Sequence, residues 1–199
     1  MQEHLDAIKA ALASAHTALS ELQKNELALG QIAAAATLLV DTFKAGGHVY
    51  SCGNGGSMCD AMHFAEELSG KFRQERAPLA ALAISDPAHL TCAANDFGFD
   101  QVFSRFVEAH GRPGDVLFAI STSGSSVNVL AAAVSARQRG MKVIALTGKS
   151  QAKLSALADL AICTPSSTPY SDRVQELHIK VIHILIELCE KSLFSAVGP

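Results

Sequence analysis

The sequence has no tryptophan, no excess of positive charge, no apolar run approaching 18 residues and no paired-cysteine motif. Sixteen Lys and Arg stand against 19 Asp and Glu, for a formal net charge of −3. A surface that binds nucleic acid replaces the counterions of a phosphate backbone with clustered Lys and Arg; no such cluster is present, so no nucleic-acid partner is expected. A membrane-spanning helix needs about 20 consecutive apolar residues, and the opening "MQEHLDAIKAALASAH" has neither the basic stretch nor the apolar core of an export signal. The expectation is a soluble, cytoplasmic protein with no membrane partner. Five cysteines (Cys52, Cys59, Cys92, Cys163, Cys189) are odd in number and widely spaced. They predict reduced thiols, not a disulfide framework. Repeats, linkers and low-complexity segments are also missing, so one domain over 1–199 is expected, large enough to bury roughly 70% of the unfolded chain's surface.

What is present is alanine-rich and 49% hydrophobic, a composition that favours closely packed helices. Apolar residues at helical spacing (Leu5, Ile8, Leu12, then Ile32, Ala35, Leu38, Leu39, Phe43) predict two N-terminal helices within 1–46, broken near Gly30 and ended by "AGG". From 47 to 165 short apolar runs alternate with helical stretches: "HVYSC" (48–52), "LAALAIS" (79–85), "DVLFAIS" (115–121), "KVIALTG" (142–148) and "LAICTP" (160–165). Near-continuous apolar strands separated by helices predict a doubly wound α/β fold with a five-stranded parallel sheet. Residues 171–194 predict one long C-terminal helix with Asp172 near its N-cap. Its apolar breadth suits either a fully buried core helix or one that also packs on another subunit.

In such sheets ligands bind where strand ends lead into helix N-termini. "GNGGS" (53–57) and "STSGSS" (121–126) both occupy that position. Small residues let backbone approach a ligand closely, and hydroxyls with free N–H groups bind phosphate without a fixed positive charge. One such loop is an ordinary turn; two at equivalent strand ends point to a small phosphorylated ligand. "AANDFGFD" (93–100), with Asn95 and Asp96, is read as a third loop. The dinucleotide fingerprint fails because Met58 stands at its third glycine, and a Walker A loop at "TGKS" fails because Val143 replaces the required glycine.

His63 and Glu67 lie one turn apart on the helix after the first loop, while Gln175, Ile179 and His183 run at steps of four on the last helix. Imidazole, carboxylate and amide oxygen together would suit a divalent cation such as zinc. Taken singly, each is ordinary, and His178 and His110 are read as satisfied buried histidines. The charges of "KFRQER" (71–76) are read as exposed, with Arg73 near enough to the first loop to steer an anion. Phe97, Phe99, Phe103 and Phe106 are read as core or subunit contacts.

"SCGNGGS", "DAMHFAEEL", "ANDFGFD", "GDVLFAISTSGSS", "GMKVIALTGK" and "DRVQELHIKVIHILIE" resemble the sedoheptulose 7-phosphate isomerases (phosphoheptose isomerases), which carry a sugar-isomerase (SIS) domain. The resemblance covers nearly the whole chain; "CTPSSTPYSD" (163–172) departs from the family pattern. It implies a flavodoxin-like fold and isomerisation of sedoheptulose 7-phosphate to D-glycero-D-manno-heptose 7-phosphate through an enediolate, the first step of ADP-heptose synthesis for lipopolysaccharide core. It implies one Zn2+ per subunit on His63, Glu67, Gln175 and His183, with Glu67 as base and His183 as acid. Substrate contacts would fall on Asn54, Gly55, Gly56, Ser57, Glu67, Asn95, Asp96, Ser121, Thr122, Ser123, Ser126 and Gln175. It further implies a homotetramer with active sites shared between subunits, so that His183 and Glu67 of one site could come from different chains. A non-catalytic SIS protein, phosphosugar-binding or associated with a replication initiator, is the alternative; such proteins lack the His and Glu of the helix after the first loop. Regulators that fuse an SIS domain to a DNA-binding unit would need more than the 45 or so residues, carrying little positive charge, that precede the first strand.

Overall fold

The computed structural model describes residues 1–166 and 168–194. The last five positions of the domain expected over 1–199, and Ser167 within "CTPSSTPYSD", lie outside the described residues. Two helices, α1 (Gln2–Gln23) and α2 (Glu26–Lys44), lead into β1 (Val49–Cys52). There follow α3 (Gly56–Ser69), β2 (Ala81–Ala83), α4 (Pro87–Phe97), a 3-10 turn at Phe99–Gln101 and α5 (Val102–His110). The chain then runs through β3 (Val116–Ser121), α6 (Val127–Gln138), β4 (Lys142–Thr147), α7 (Lys153–Leu157), β5 (Leu160–Cys163) and α8 (Ser171–Phe194).

The five strands form one sheet in the order β2-β1-β3-β4-β5, and every neighbouring pair is parallel. That is the flavodoxin-like order. Strand alternation divides the core in two. Val116, Phe118, Ile120, Ile144 and Leu146 face α1, α2, α3 and α8, while Leu117, Ala119, Val143 and Ala145 face α4 to α7. Because both faces are covered, β3 is buried along its whole length and reads in sequence as an unbroken apolar run. β2, one of the two edge strands, is half-exposed and only three residues long against the seven expected.

The N-terminal break falls at Asn25, not Gly30, which lies inside α2. The Asn25 side chain caps α2 by accepting from the Ala28 N–H at 3.0 Å. A side-chain cap satisfies an otherwise orphaned amide, whereas glycine inside a helix costs only about 1 kcal/mol and does not end it. By length and hydropathy α2 is the one helix among the described residues that could cross a membrane; its Ile32, Ala35 and Leu39 instead pack in the sheet-side core with α8. On α8 the buried residues form one stripe from Val174 to Glu190, so of the two sequence readings the fully buried helix does not hold. α1 carries Leu5, Ile8, Leu12 and Leu19 exposed along its outer side.

Candidate active site

The topological switch lies between β1 and β3, whose connections leave in opposite directions, and the loops after both strands open on the same crevice. At the first, Gly55 has φ 55 and ψ −122, a conformation that side chains disfavour, and it lets the chain turn straight into α3. At the second, Ser121 Oγ lies 3.1 Å from Ser126 Oγ and accepts from the Gly124 N–H at 3.1 Å. Ser126 heads α6 without a side-chain cap; the Val129 N–H donates to Asn128 Oδ1 at 3.0 Å, which leaves those of Val127 and Asn128 for an anion.

A reciprocal amide pair joins the two loops. Asn54 Nδ2 donates to Asn128 Oδ1 at 2.8 Å and Asn128 Nδ2 to Asn54 Oδ1 at 2.9 Å. Asn54, expected as a sugar contact, thus spends its amide on Asn128, and its carbonyl accepts from the Ser57 N–H at 3.0 Å. Next to the second loop a cavity of about 380 Å³ is lined by Thr122, Ser123, Gly148, Lys149, Tyr170 and Val174. Lys149 was not foreseen; it supplies an exposed ammonium beside a loop suited to phosphate.

α3 and α8 run side by side. They touch first where the Gln175 amide lies over Gly56, so close that a Cβ on Gly56 would meet Gln175 Nε2 at 2.7 Å. Two turns further His63 Nε2 faces His183 Nε2 at 2.9 Å, and the Glu67 carboxylate lies 3.6 Å from the same His63 nitrogen. The pairing of His183 with the His63–Glu67 turn therefore exists within one chain. Gln175, expected as a fourth ligand, sits eight residues before His183, about 12 Å along the helix axis, against Gly56 and apart from the imidazoles. Glu66, not foreseen although its i,i+3 spacing to His63 is legible, lies 3.1 Å from His63 Nδ1. A carboxylate there draws the proton to Nδ1 and turns a bare Nε2 toward the cluster.

These donors fit a divalent ion. Nitrogens bound to one tetrahedral zinc at about 2.0–2.1 Å stand ~3.3 Å apart, and the 2.9 Å and 3.6 Å separations bracket that value. Burial above all, with the adjacent Glu66 carboxylate, holds the Glu67 carboxyl above its ordinary pKa, while His63 opposes the shift. Burial, then the charges of His63, Lys180 and Arg73, holds His183 below the ordinary histidine value, so its ring is neutral near pH 7. Asp60, one turn before His63, is buried with Oδ2 unpartnered, and burial pushes its carboxyl up to about 6.

Other expectations fare differently. Asn95 and Asp96 lie in the last turn of α4, not in a loop, and are exposed; Asn95 Nδ2 donates to Asp96 Oδ1 at 2.7 Å. Helix α4 continues to Phe97 because Gly98, at φ 88, supplies the stop. Arg73 pairs with Glu187 at 2.8 Å, on α8 and not toward the first loop. Arg76 is not exposed: its side chain is 2% accessible. His178 is fully buried, and burial pushes it down to about 4 against the opposing effect of the Thr147 backbone; it is a buried histidine as expected, whereas His110 is exposed. Cys52 and Cys189 are buried free thiols.

Residues 12–148 match the SIS domain family model. The phosphoheptose isomerase of Escherichia fergusonii is 55% identical over 188 residues, 94% of this chain and 97% of that protein. Two solved structures cover 94% of this chain and 98% of their own: phosphoheptose isomerase GmhA from Neisseria gonorrhoeae, 39% identical with a TM-score of 0.86, and a phosphoheptose isomerase from Francisella tularensis, 37% identical with a TM-score of 0.88. With its SIS-type sheet, two small-residue loops at the switch point and a His–Glu–His cluster two turns along the helix after the first, the chain belongs to the phosphoheptose isomerase family of SIS-domain proteins.

Proposed function

We propose that this protein interconverts sedoheptulose 7-phosphate and D-glycero-D-manno-heptose 7-phosphate in heptose synthesis for lipopolysaccharide core. The observation that carries the reading is the convergence of His63, Glu67 and His183, two turns along α3 from the first of two loops suited to a phosphorylated sugar. The non-catalytic alternative is not favoured, since a relative more than half identical over nearly the whole chain is an isomerase.

Moving a carbonyl from C2 to C1 requires a base for a carbon-bound proton and an exchange of protons on oxygen. In the ketose-to-aldose direction Glu67 takes a proton from C1, leaving an enediolate; O2 gains a proton, O1 loses one, and Glu67 returns its proton to C2. Its raised pKa suits a base that must hold the proton between the two transfers. His183, neutral near pH 7, relays the oxygen proton and is not a standing imidazolium acid. Ser121, Thr122, Ser123, Ser126 and the N–H groups of Val127 and Asn128 hold the phosphate, while Gly55, Gly56, Ser57, the Asn54 N–H and Gln175 hold sugar oxygens.

His63, Glu67 and His183 would hold one zinc ion per subunit, leaving an open position of the kind catalytic zinc sites keep. When bound, the ion would polarise the sugar's carbonyl and hydroxyl oxygens. Gln175 would join as fourth ligand only by leaving Gly56. The protein is further proposed to be cytoplasmic and homotetrameric, which the exposed apolar stripe Leu5, Ile8, Leu12 and Leu19 supports. In a tetramer with shared sites, Asn95 and Asp96 would serve a neighbouring copy's substrate. The test is incubation of purified protein with sedoheptulose 7-phosphate, with and without chelator. Aldose product is expected and its loss on chelation assigns the metal; no aldose under either condition would overturn the isomerase reading.

A further inference from the structure

α3 and α8 are tied together at a third point, beyond both loops and beyond the His–Glu–His cluster. Arg76 follows the end of α3, and its guanidinium folds back under it. Nη2 donates to the Glu67 carbonyl at 2.7 Å, and Nη1 donates to the carbonyls of Leu68 at 2.7 Å, Gly70 at 3.1 Å and Ala77 at 3.2 Å. Nε donates to Glu190 Oε1 on α8 at 3.0 Å. The other Glu190 oxygen accepts from the Arg73 N–H at 3.3 Å. The Arg76 and Glu190 side chains are 2% and 3% accessible.

Three features separate this pair from an ordinary ion pair. The fork caps the carbonyl end of α3, where a cation is favoured by the helix dipole and the last carbonyls lack intrahelical partners. One capped carbonyl belongs to Glu67 itself, so the backbone of the proposed base is held directly. Glu190 lies seven residues after His183, on the same face of α8 two turns along. The guanidinium therefore bridges the backbone of the base and the helix that presents His183. A buried ion pair is a poor source of net stability, so what this one fixes is the distance between two helices.

We propose that Arg76, held by Glu190, is a positioning residue for the isomerase reaction: it locks the end of α3 against α8 and so sets the spacing among Glu67, His63 and His183. The proposal rests on the isomerase reading of that cluster. Misplacement of reacting groups by 1 Å can cost on the order of 100-fold in rate, and loss of outer contacts costs metal sites on the order of 10-fold or more in affinity.

Two variants test it. Arg76→Met with Glu190→Leu replaces the pair by apolar side chains of similar volume, an exchange that buried pairs tolerate. Arg76→Lys keeps the charge and loses the fork. Steady-state kinetics with sedoheptulose 7-phosphate, zinc titration of the metal-free protein and thermal melting are measured on each. Expected are a fall in kcat of roughly 10- to 100-fold, KM within about three-fold, and zinc affinity weakened by about 10-fold. Should the double variant not fold, the lysine variant carries the test alone. A folded variant with kcat and zinc affinity within about two-fold of the parent, whatever its Tm, would make the pair purely structural and overturn the proposal. An inactive parent would instead sink the isomerase reading, and the zinc titration would then decide the spacing claim.

Discussion

Replacing Gly56 by alanine strikes the first contact between α3 and α8 and little else. The new Cβ would meet Gln175 Nε2 at 2.7 Å, Cδ at 2.9 Å and Oε1 at 3.0 Å, whereas ordinary contacts begin at 3.4 Å. The amide must therefore withdraw by at least 0.7 Å, the difference between 3.4 and 2.7 Å. All three atoms belong to the end of one flexible side chain, so the fold yields there without moving backbone. Alanine also suits a helix better than glycine, by up to about 1 kcal/mol in a helix interior and less at its first position. Stability should thus hold or rise slightly, while a displacement approaching 1 Å in a sugar-holding amide should lower kcat/KM by roughly 10- to 100-fold. Thermal melting and steady-state assays on Gly56→Ala measure both. Because the effect runs through Gln175, adding Gly56→Ala to Gln175→Ala should cost little further activity. Activity within about two-fold of the parent would refute the placement of Gln175 at the site; a loss of activity that tracks a loss of Tm would refute the separation of packing from chemistry.

Asp60→Asn should stabilise the protein at high pH. Burial raises the Asp60 carboxyl from 3.8 to about 6, so the folded state prefers the protonated form; the parent has that advantage below the unfolded value and loses it as pH rises through about 6. The asparagine variant should therefore gain at most about 3 kcal/mol at pH 8, with the gain shrinking toward pH 4, as melting across that range would show; a gain that grows on acidification would contradict the sign. Phe64 and Phe118 are fully buried with ring centroids 4.8 Å apart, and Phe64→Ala should cost about 3–5 kcal/mol in denaturant unfolding. Cys52 and Cys189 are buried and pushed up to about 12, so brief alkylation of the native protein at pH 8 should leave both unmodified by mass spectrometry, and rapid labelling of either would contradict the packing.

The sheet was legible in the sequence because β1, β3 and β4 are buried almost end to end and so are written as apolar runs, with small-residue loops after β1 and β3, and the half-buried β5 is apolar as well. β2 was overextended because an edge strand shows only part of its length in burial. Periodicity placed His63 and Glu67 on one face, but it could not tell that Gln175 would stop at Gly56 while His183 reached His63. That depends on how two helices separated by more than 100 residues slide past each other. Arg76 was misjudged for the same reason: within "KFRQER" nothing distinguishes the cation that is buried against Glu190, 114 residues away, from Arg73, which stays exposed. Asn25 was missed because a glycine five residues later looked like the stronger break, yet a cap satisfies a backbone amide and an interior glycine satisfies nothing. Asn54 lies in the first loop, but its amide pairs with Asn128, 74 residues distant, a contact with no local signature.

The central claim is that Glu67 carries the proton between C1 and C2. Turnover of sedoheptulose 7-phosphate by purified Glu67→Gln, with Tm and sugar affinity measured on the same sample, tests it directly. Removing a general base of this kind costs about 10²–10⁴-fold; the account predicts a kcat loss of that size with the fold intact, and turnover within a few-fold of the parent would contradict it.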